Sequence, residues 1–512
     1  MTRLLLLLAA AAAPFPHTLK HYETPEKHQI ETMPGGVAVL DFDGDGWDDL
    51  FFTNGAPQPS LAKKLPADCN RLYRNLGNGT FADVTAKSGL CGTGYDIGAA
   101  VGDYDNDGHP DLFVAGVRAS TLFHNNGDGT FTKTTIPTVN DWAIGGGFFD
   151  YDNDGDLDLF IVRYVHWDPA AEPFCGDATQ NLRTYCHPQF YTGLTNLLYR
   201  NDNGKFTDGS ISTGIAKHTG KGMAVAFGDV DNDGRPDAFV TNDTVPNFLF
   251  RNRGDGTFEE IGDPAGIAFN DDGRALSSMG ADFRDLDNDG RDDLFLTALH
   301  NETFPFYRNL GRNTFRDMTY PSKIGKATMA YSGWSCGIFD FDNDGWKDIF
   351  IAGGDVQTNT EKFSSRASKQ TNLVLHNNAD GTFSPNSAGT PAWHRGAAFA
   401  DFNHDGAIDV AVTRLGESPL IHWGTKSANH WIAFQLQGTK SNRDAAGARV
   451  TIGTQSNRVS TAVGYASSSA RTVHFGLGKM AHVPLVTIHW PSGATQELKQ
   501  IRADRVVTVR EP

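Results

Sequence analysis

The sequence predicts an all-β protein: a seven-bladed β-propeller followed by a small antiparallel β-sandwich or barrel domain. Three observations predict it. A nine-residue acidic phrase, first met as Asp41-Phe-Asp43-Gly-Asp45-Gly-Trp-Asp-Asp49, occurs seven times. The first residues of successive phrases are 62, 47, 79, 56, 55 and 61 residues apart, a period that demands a repeat fold. Between them runs a second phrase, Leu72-Tyr-Arg-Asn75-Leu-Gly-Asn-Gly-Thr-Phe81 and its counterparts. Its Asn-Gly and Asp-Gly pairs supply the left-handed positions of tight hairpin turns.

Each unit therefore reads as four strands. A small-residue strand such as Gly36 to Leu40 leads into the acidic phrase, an apolar strand such as Leu50 to Thr53 follows it, and the hairpin supplies two more. Ala99-Ala100-Val101, Gly145-Gly146-Gly147 and Ala224-Val225-Ala226 suit the crowded innermost position around a central channel. A linear solenoid would need distinct polar caps, and the sequence shows none. The last unit has strands near Ala397 to Ala400, Ile408 to Val412 and Pro419 to Trp423 but lacks an outer one. Thr18 to Glu23 is expected to supply it and close the ring. The propeller is placed at residues 17–424 and the C-terminal β domain at 428–512.

Oxygen side chains at positions 1, 3, 5 and 9 of the phrase, with Gly at position 6 for the sharp turn, suit a hard cation that takes six to eight oxygens at roughly 2.3–2.6 Å. The candidate ligands are Asp41, Asp43, Asp45 and Asp49; Asp103, Asp105, Asp107 and Asp111; Asp150, Asp152, Asp154 and Asp158; Asp229, Asp231, Asp233 and Asp237; Asp285, Asp287, Asp289 and Asp293; Asp340, Asp342, Asp344 and Asp348; and Asp401, Asn403, Asp405 and Asp409. An EF-hand would end in Glu at position 12 between two helices. Here Asp closes the loop and strands flank it, so the expectation is about seven structural Ca2+ ions.

Asp+Glu 61 against Lys+Arg 44 gives a formal charge of -17, which argues against nucleic acid or an anionic membrane surface as partner. Bound calcium would offset most of it. Met1 to Ala13 reads as a secretory signal peptide, and no other run approaches the ~20 apolar residues of a membrane span. A secreted chain, extracellular or periplasmic, is expected. Its five cysteines suggest disulfides Cys69–Cys91 and Cys175–Cys186, with Cys336 a buried thiol in an apolar strand.

Gly333-Trp-Ser335-Cys-Gly337 fits a nucleophile elbow but lacks the strand-turn-helix setting. Arg253-Gly254-Asp255 resembles an integrin-binding tripeptide but occupies an ordinary hairpin place. The aromatic insertion Arg163 to Thr195 is the best binding-site candidate, carrying Tyr164, His166, Trp167, Phe174, Tyr185, His187, Phe190 and Tyr191. A self-packed loop stapled by Cys175 and Cys186 is the alternative. In an up-down blade the acidic loops share one face, and the insertion lies on the other.

The acidic phrase with its flanks resembles the FG-GAP/VCBS repeat of integrin α-chains and many secreted propellers, over about residues 30 to 423. Asn429-His-Trp431, Thr439-Lys-Ser-Asn-Arg443-Asp-Ala-Ala-Gly447-Ala-Arg449-Val, His474-Phe-Gly-Leu-Gly478 and Trp490-Pro-Ser-Gly493 are similar to the ASPIC/UnbV domain. Together they resemble the cartilage acidic protein family. The expectation, whose class the resemblance supports, is a secreted, calcium-stabilised, non-enzymatic adhesion module, a monomer, that binds an extracellular protein or glycan on the face opposite its metals. Some polysaccharide lyases and sugar dehydratases also resemble this fold. That alternative needs a base and a cation in a groove, for which Arg163, His166 and His187 are the candidates.

Overall fold

The computed structural model describes residues 15–137 and 141–512; the expected signal peptide lies outside them. Six four-stranded antiparallel sheets and one three-stranded sheet follow one another from Val37 to His422. Blade two shows the plan: Tyr95–Gly102, Asp111–Val117, Thr121–Asn125 and Phe131–Thr134 pair in that order. Its first two strands are buried throughout, while the outermost keeps only Phe131 buried. The inner strands are covered on both faces by neighbouring blades, which is why they read as apolar or small throughout.

A hydrophobic cluster fills each seam between neighbouring blades. At the closing seam Val37, Val39, Leu50 and Phe52 of blade one pack with Ala398, Ala400, Ala411 and Ile421 of blade seven. The ring is closed. Glycines of the first strands make room for aromatics of the next blade: a Cβ on Gly337 would lie 2.3 Å from the Phe399 ring, and one on Gly147 2.5 Å from Phe227.

The N-terminus takes part differently from expectation. Thr18 to Glu23 forms no strand, and blade seven keeps three strands, His394–Ala400, Asp409–Arg414 and Leu420–His422. The backbone of this segment is engaged piecemeal: Leu19 exchanges hydrogen bonds with Gly416 and Glu417, while Lys20 is held by Asn54 and Gly55 of blade one. With its amides committed in two directions it cannot form a ladder. The seam is wedged instead by buried Phe15, just before this segment.

The C-terminal unit packs the sheet Val473–Gly478, His430–Gln437, Arg505–Arg510 against the sheet Gln455–Arg458, Arg449–Ile452, His482–His489, Thr495–Arg502. Two features depart from the sequence reading. Arg505–Arg510 runs parallel to His430–Gln437. Thr495–Arg502 and Gln455–Arg458 are unanticipated edge strands, whose largely polar residues give no apolar alternation to detect.

Between Arg458 and Val473 the chain leaves this unit and enters the centre of the ring. Ser468 bonds Val37 and Val39 of blade one, Ala466 accepts from Ala99 of blade two, Gly464 donates to Ala281 of blade five, and Ala470 donates to Phe399 of blade seven. Tyr465 reaches through, its hydroxyl donating to Met33 O at 2.8 Å and its ring 5.1 Å from Trp334. The central channel is plugged.

Both expected disulfides are formed, with Cα separations of 4.3 Å for Cys69–Cys91 and 5.3 Å for Cys175–Cys186, and Cys336 is free and buried.

Candidate metal centres

Each acidic loop joins the first strand of a blade to the second. Loop two illustrates the geometry. Asn106 and Gly108 take φ of +60° and +99°, and the same two positions are left-handed in all seven loops. Only Gly, Asn or His stands at the first of them and only Gly at the second, which is the sharp turn that Gly serves. Asp103 Oδ2 accepts from Gly108 N at 2.8 Å, and Asp107 Oδ1 accepts from His109 N at 2.8 Å. Asp111 accepts from Tyr104 N at 3.1 Å and from Asn125 N at 2.8 Å. The last Asp therefore ties its loop to the third strand.

The predicted ligands converge. In loop one Asp41, Asp43 and Asp45, in loop two Asp103, Asp105 and Asp107, and in loop three Asp150, Asp152 and Asp158 each bring carboxylate oxygens within 4.8 Å of one another. Asp103 Oδ1, Asp152 Oδ1 and Asp231 Oδ1 are buried without a hydrogen-bond partner. Buried acceptors lacking donors fit a cation. Burial pushes Asp49 and Asp111 up to about 9 and Asp237 to about 8, while Asp158, Asp293 and Asp409 are also held well above the usual carboxylate range. Asp103 and Asp150 are raised by burial to about 7. A hard divalent ion would supply the charge these carboxylates need in order to ionise there. In the seventh loop Asn403 Oδ1 accepts from Asp405 N at 3.1 Å, as an Asp would, but brings no charge.

Two partners of the loops escaped sequence reasoning. The residue before the Asn of the hairpin phrase is basic in blades one to six and reaches into its own loop: Arg74 Nε lies 2.5 Å from Asp43, Arg251 Nε 2.9 Å from Asp231, and His124 Nδ1 3.2 Å from Asp105. Asp348 raises His376 to about 8 through their hydrogen bond. The Asn itself is an inter-blade latch. Asn125 Nδ2 donates to Phe42 O, Asn201 to Tyr104 O, Asn252 to Tyr151 O, Asn309 to Val230 O and Asn377 to Leu286 O, in each case a carbonyl in the acidic loop of the preceding blade. Asn75 donates to Phe402 O and so joins blade one to blade seven. The recurring Tyr-Arg-Asn was the available signal.

The family model for the FG-GAP-like repeat matches residues 41–114, 103–161, 191–240, 229–296, 285–351 and 360–412, together more than half of the chain. The chain belongs to the FG-GAP-like repeat family. Residues 438–512 match the ASPIC and UnbV model. Cartilage acidic protein 1 of Xenopus tropicalis is 29% identical over 300 residues, which is 55% of this chain and 43% of that protein. The Homo sapiens protein is 28% identical over 302 residues, 56% of this chain and 43% of that protein. The match thus takes in less than half the length of these relatives. Among solved structures, an Agrocybe aegerita lectin described as recognising non-reducing terminal N-acetylglucosamine aligns with a TM-score of 0.43 and 18% identity, over 75% of this chain and 87% of that one. An exotype rhamnogalacturonan lyase aligns at 0.40 and 13% identity, over 77% and 72%.

In this FG-GAP chain the acidic loops lie beneath a second folded unit, with tips such as Asp45, Asp107 and Asp233 left exposed. The C-terminal unit packs on their face. Asp444 Oδ2 accepts from Asp103 N at 2.9 Å, Arg443 N donates to Asn106 at 2.7 Å, and Arg458 lies 2.6 Å from Asp292 and 3.2 Å from Asp229. A Cβ on Gly476 would stand 1.9 Å from Asp340 Oδ2, so glycine lets that strand lie against loop six.

On the opposite face the aromatic insertion is largely packed, as the alternative reading held. Tyr164, Trp167, Tyr185 and Tyr191 are buried, and Phe174 and Phe190 remain exposed. Tyr185 Oη donates to Glu31 at 3.1 Å, and Gln357 bonds both backbone groups of Tyr185. The three residues considered for lyase chemistry are engaged separately: Arg163 with Thr195 O at 2.7 Å, His166 with Asp141 at 3.0 Å, and His187 with Gln189 N at 3.1 Å. Ser335 of the elbow-like motif is buried mid-strand and accepts from Tyr465 N at 3.1 Å. Asp255 of Arg253-Gly-Asp255 holds its own turn through Thr257, as Asp128 does through Thr130.

Proposed function

We propose that this chain is a secreted, calcium-stabilised, non-enzymatic binding module for an extracellular protein or glycan. The observation that carries the reading is the set of buried carboxylate oxygens without donors at Asp103, Asp152 and Asp231, inside loops that present only oxygen ligands together with a neighbouring basic side chain. In this reading the ions are structural: each binds one turn to the third strand and, through the Asn latch, to another blade. Tyr465 plugs the channel, and the insertion closes its far end, so a partner would be taken on exposed surface, with Phe174 and Phe190 at the rim opposite the metals. The test is a screen of immobilised glycans and extracellular proteins with and without calcium, run beside an assay for unsaturated products from acidic polysaccharides. Calcium-dependent capture without product supports the reading; turnover would replace it with the lyase alternative.

A further inference from the structure

Arg449, Arg458 and His489 stand in a row across three neighbouring strands of the C-terminal unit. Arg449 pairs in register with Arg458 on one side and with His489 on the other. Like charges directly opposite one another destabilise a sheet, so the two guanidiniums need anions. Arg458 is answered by Asp292 at 2.6 Å and Asp229 at 3.2 Å. The other two of the row are not. The half-buried Arg449 guanidinium donates only to the Asn232 amide oxygen, at 3.0 Å, and His489 meets only the Thr495 hydroxyl, at 3.3 Å. Among the described residues neither forms an ion pair with a carboxylate.

Both line an open groove of about 490 Å³ between the C-terminal unit and the fourth acidic loop. Asn153, Asn232 and Ser492 supply amides and a hydroxyl along it, beside the ring of Pro491. Arg235 and Arg458 answer the Asp233 and Asp229 carboxylates that share the groove, which leaves the Arg449 guanidinium beside the His489 imidazole, and polar groups spread around these two suit a hydroxylated ring bearing an acid group. We propose that this groove binds an acidic saccharide, whose hexuronate carboxylate or sulfate ester lies between Arg449 and His489. Arg449 offers the fixed fork that oxyanions favour. This assignment rests on the binding reading above for the kind of partner, but not on calcium.

The test is titration of the full chain, at fixed salt, with tetragalacturonate, a sulfated neutral tetrasaccharide, an uncharged tetrasaccharide and an acidic peptide of equal charge. At least one of the first two is expected to bind, telling carboxylate from sulfate. Arg449→Gln and the exposed-site variant His489→Ala should each weaken it, the former by about tenfold or more as a charge-assisted bond is lost, with Arg449→Lys retaining part. Melting curves check folding, and His489→Ala keeps the test decisive if Arg449→Gln fails to fold. Binding of neither acidic saccharide, equal binding of the uncharged sugar or the peptide, or binding indifferent to the folded variants overturns the proposal. Saccharide binding that survives both variants removes the groove and leaves the binding reading standing.

Discussion

Asp111 and Asp107 belong to the same loop and have opposite prospects on mutation. Both oxygens of Asp111 accept backbone amides in a fully buried setting, from Tyr104 and Asn125. Asp107→Ala, at the exposed rim, should remove one bound calcium and leave folding intact. Asp111→Ala should cost about 2–5 kcal/mol, because two buried N–H groups lose their acceptor. Thermal unfolding with metal analysis checks the pair; equal losses would contradict it. A second expectation concerns pH. Carboxylates raised by burial, such as Asp103 to about 7 and Asp111 to about 9, hold protons in the folded chain that the unfolded chain releases. Their contribution to stability is therefore complete below about pH 4 and is lost as pH rises through those values. In chelator the melting temperature should fall between pH 5 and pH 8, and bound calcium should abolish the fall. A chelated protein equally stable at both would refute the account. At this scale the Asp ligands were legible because an oxygen pattern repeats in phase. Arg74, His124 and Asn125 were not, because their partners lie far off in the chain, in the acidic loop of the same blade for the first two and of the preceding blade for the third.

At the scale of elements, the four-stranded unit was legible from small-residue runs, acidic turns and Asn-Gly hairpins. The plug was not: Val459 to Ala470 is short of periodicity because its backbone bonds to several different blades rather than to one strand. Gly464 tests it. Its φ is +76°, and a Cβ there would lie 2.1 Å from Ser335 Oγ and 2.6 Å from Cys336 O. Gly464→Ala should lower stability by about 2 kcal/mol or more, whereas Gly453→Ala, also left-handed but with open space around it, should cost about 1 kcal/mol. Similar melting temperatures for the two would mean that the tip does not occupy the channel in solution. The Asn latch is tested by Asn309→Ala, which removes bonds to Val230 O and Asp292 O. It should cost about 1–3 kcal/mol in unfolding free energy; no change would show that the seams hold by apolar packing alone.

For the whole molecule the pieces reinforce one another. Seven seams close a ring, the C-terminal unit packs on the loop face and plugs the centre, and the insertion with Ile30 and Met33 closes the far side. The sequence revealed that two folded units follow one another, but not that they interlock, since Arg458 and Asp229 are far apart in the chain and their pairing leaves no local pattern. If the extracellular type of site, at roughly 10⁻⁴–10⁻³ M, holds at every loop, each ion adds about 1.4 kcal/mol at tenfold saturation. That is a sum on the order of a domain's whole stability. The direct test is to count calcium by metal analysis of the full chain equilibrated at millimolar calcium. The account predicts about seven ions per chain, one for each oxygen-ligand loop; fewer than about five would contradict it.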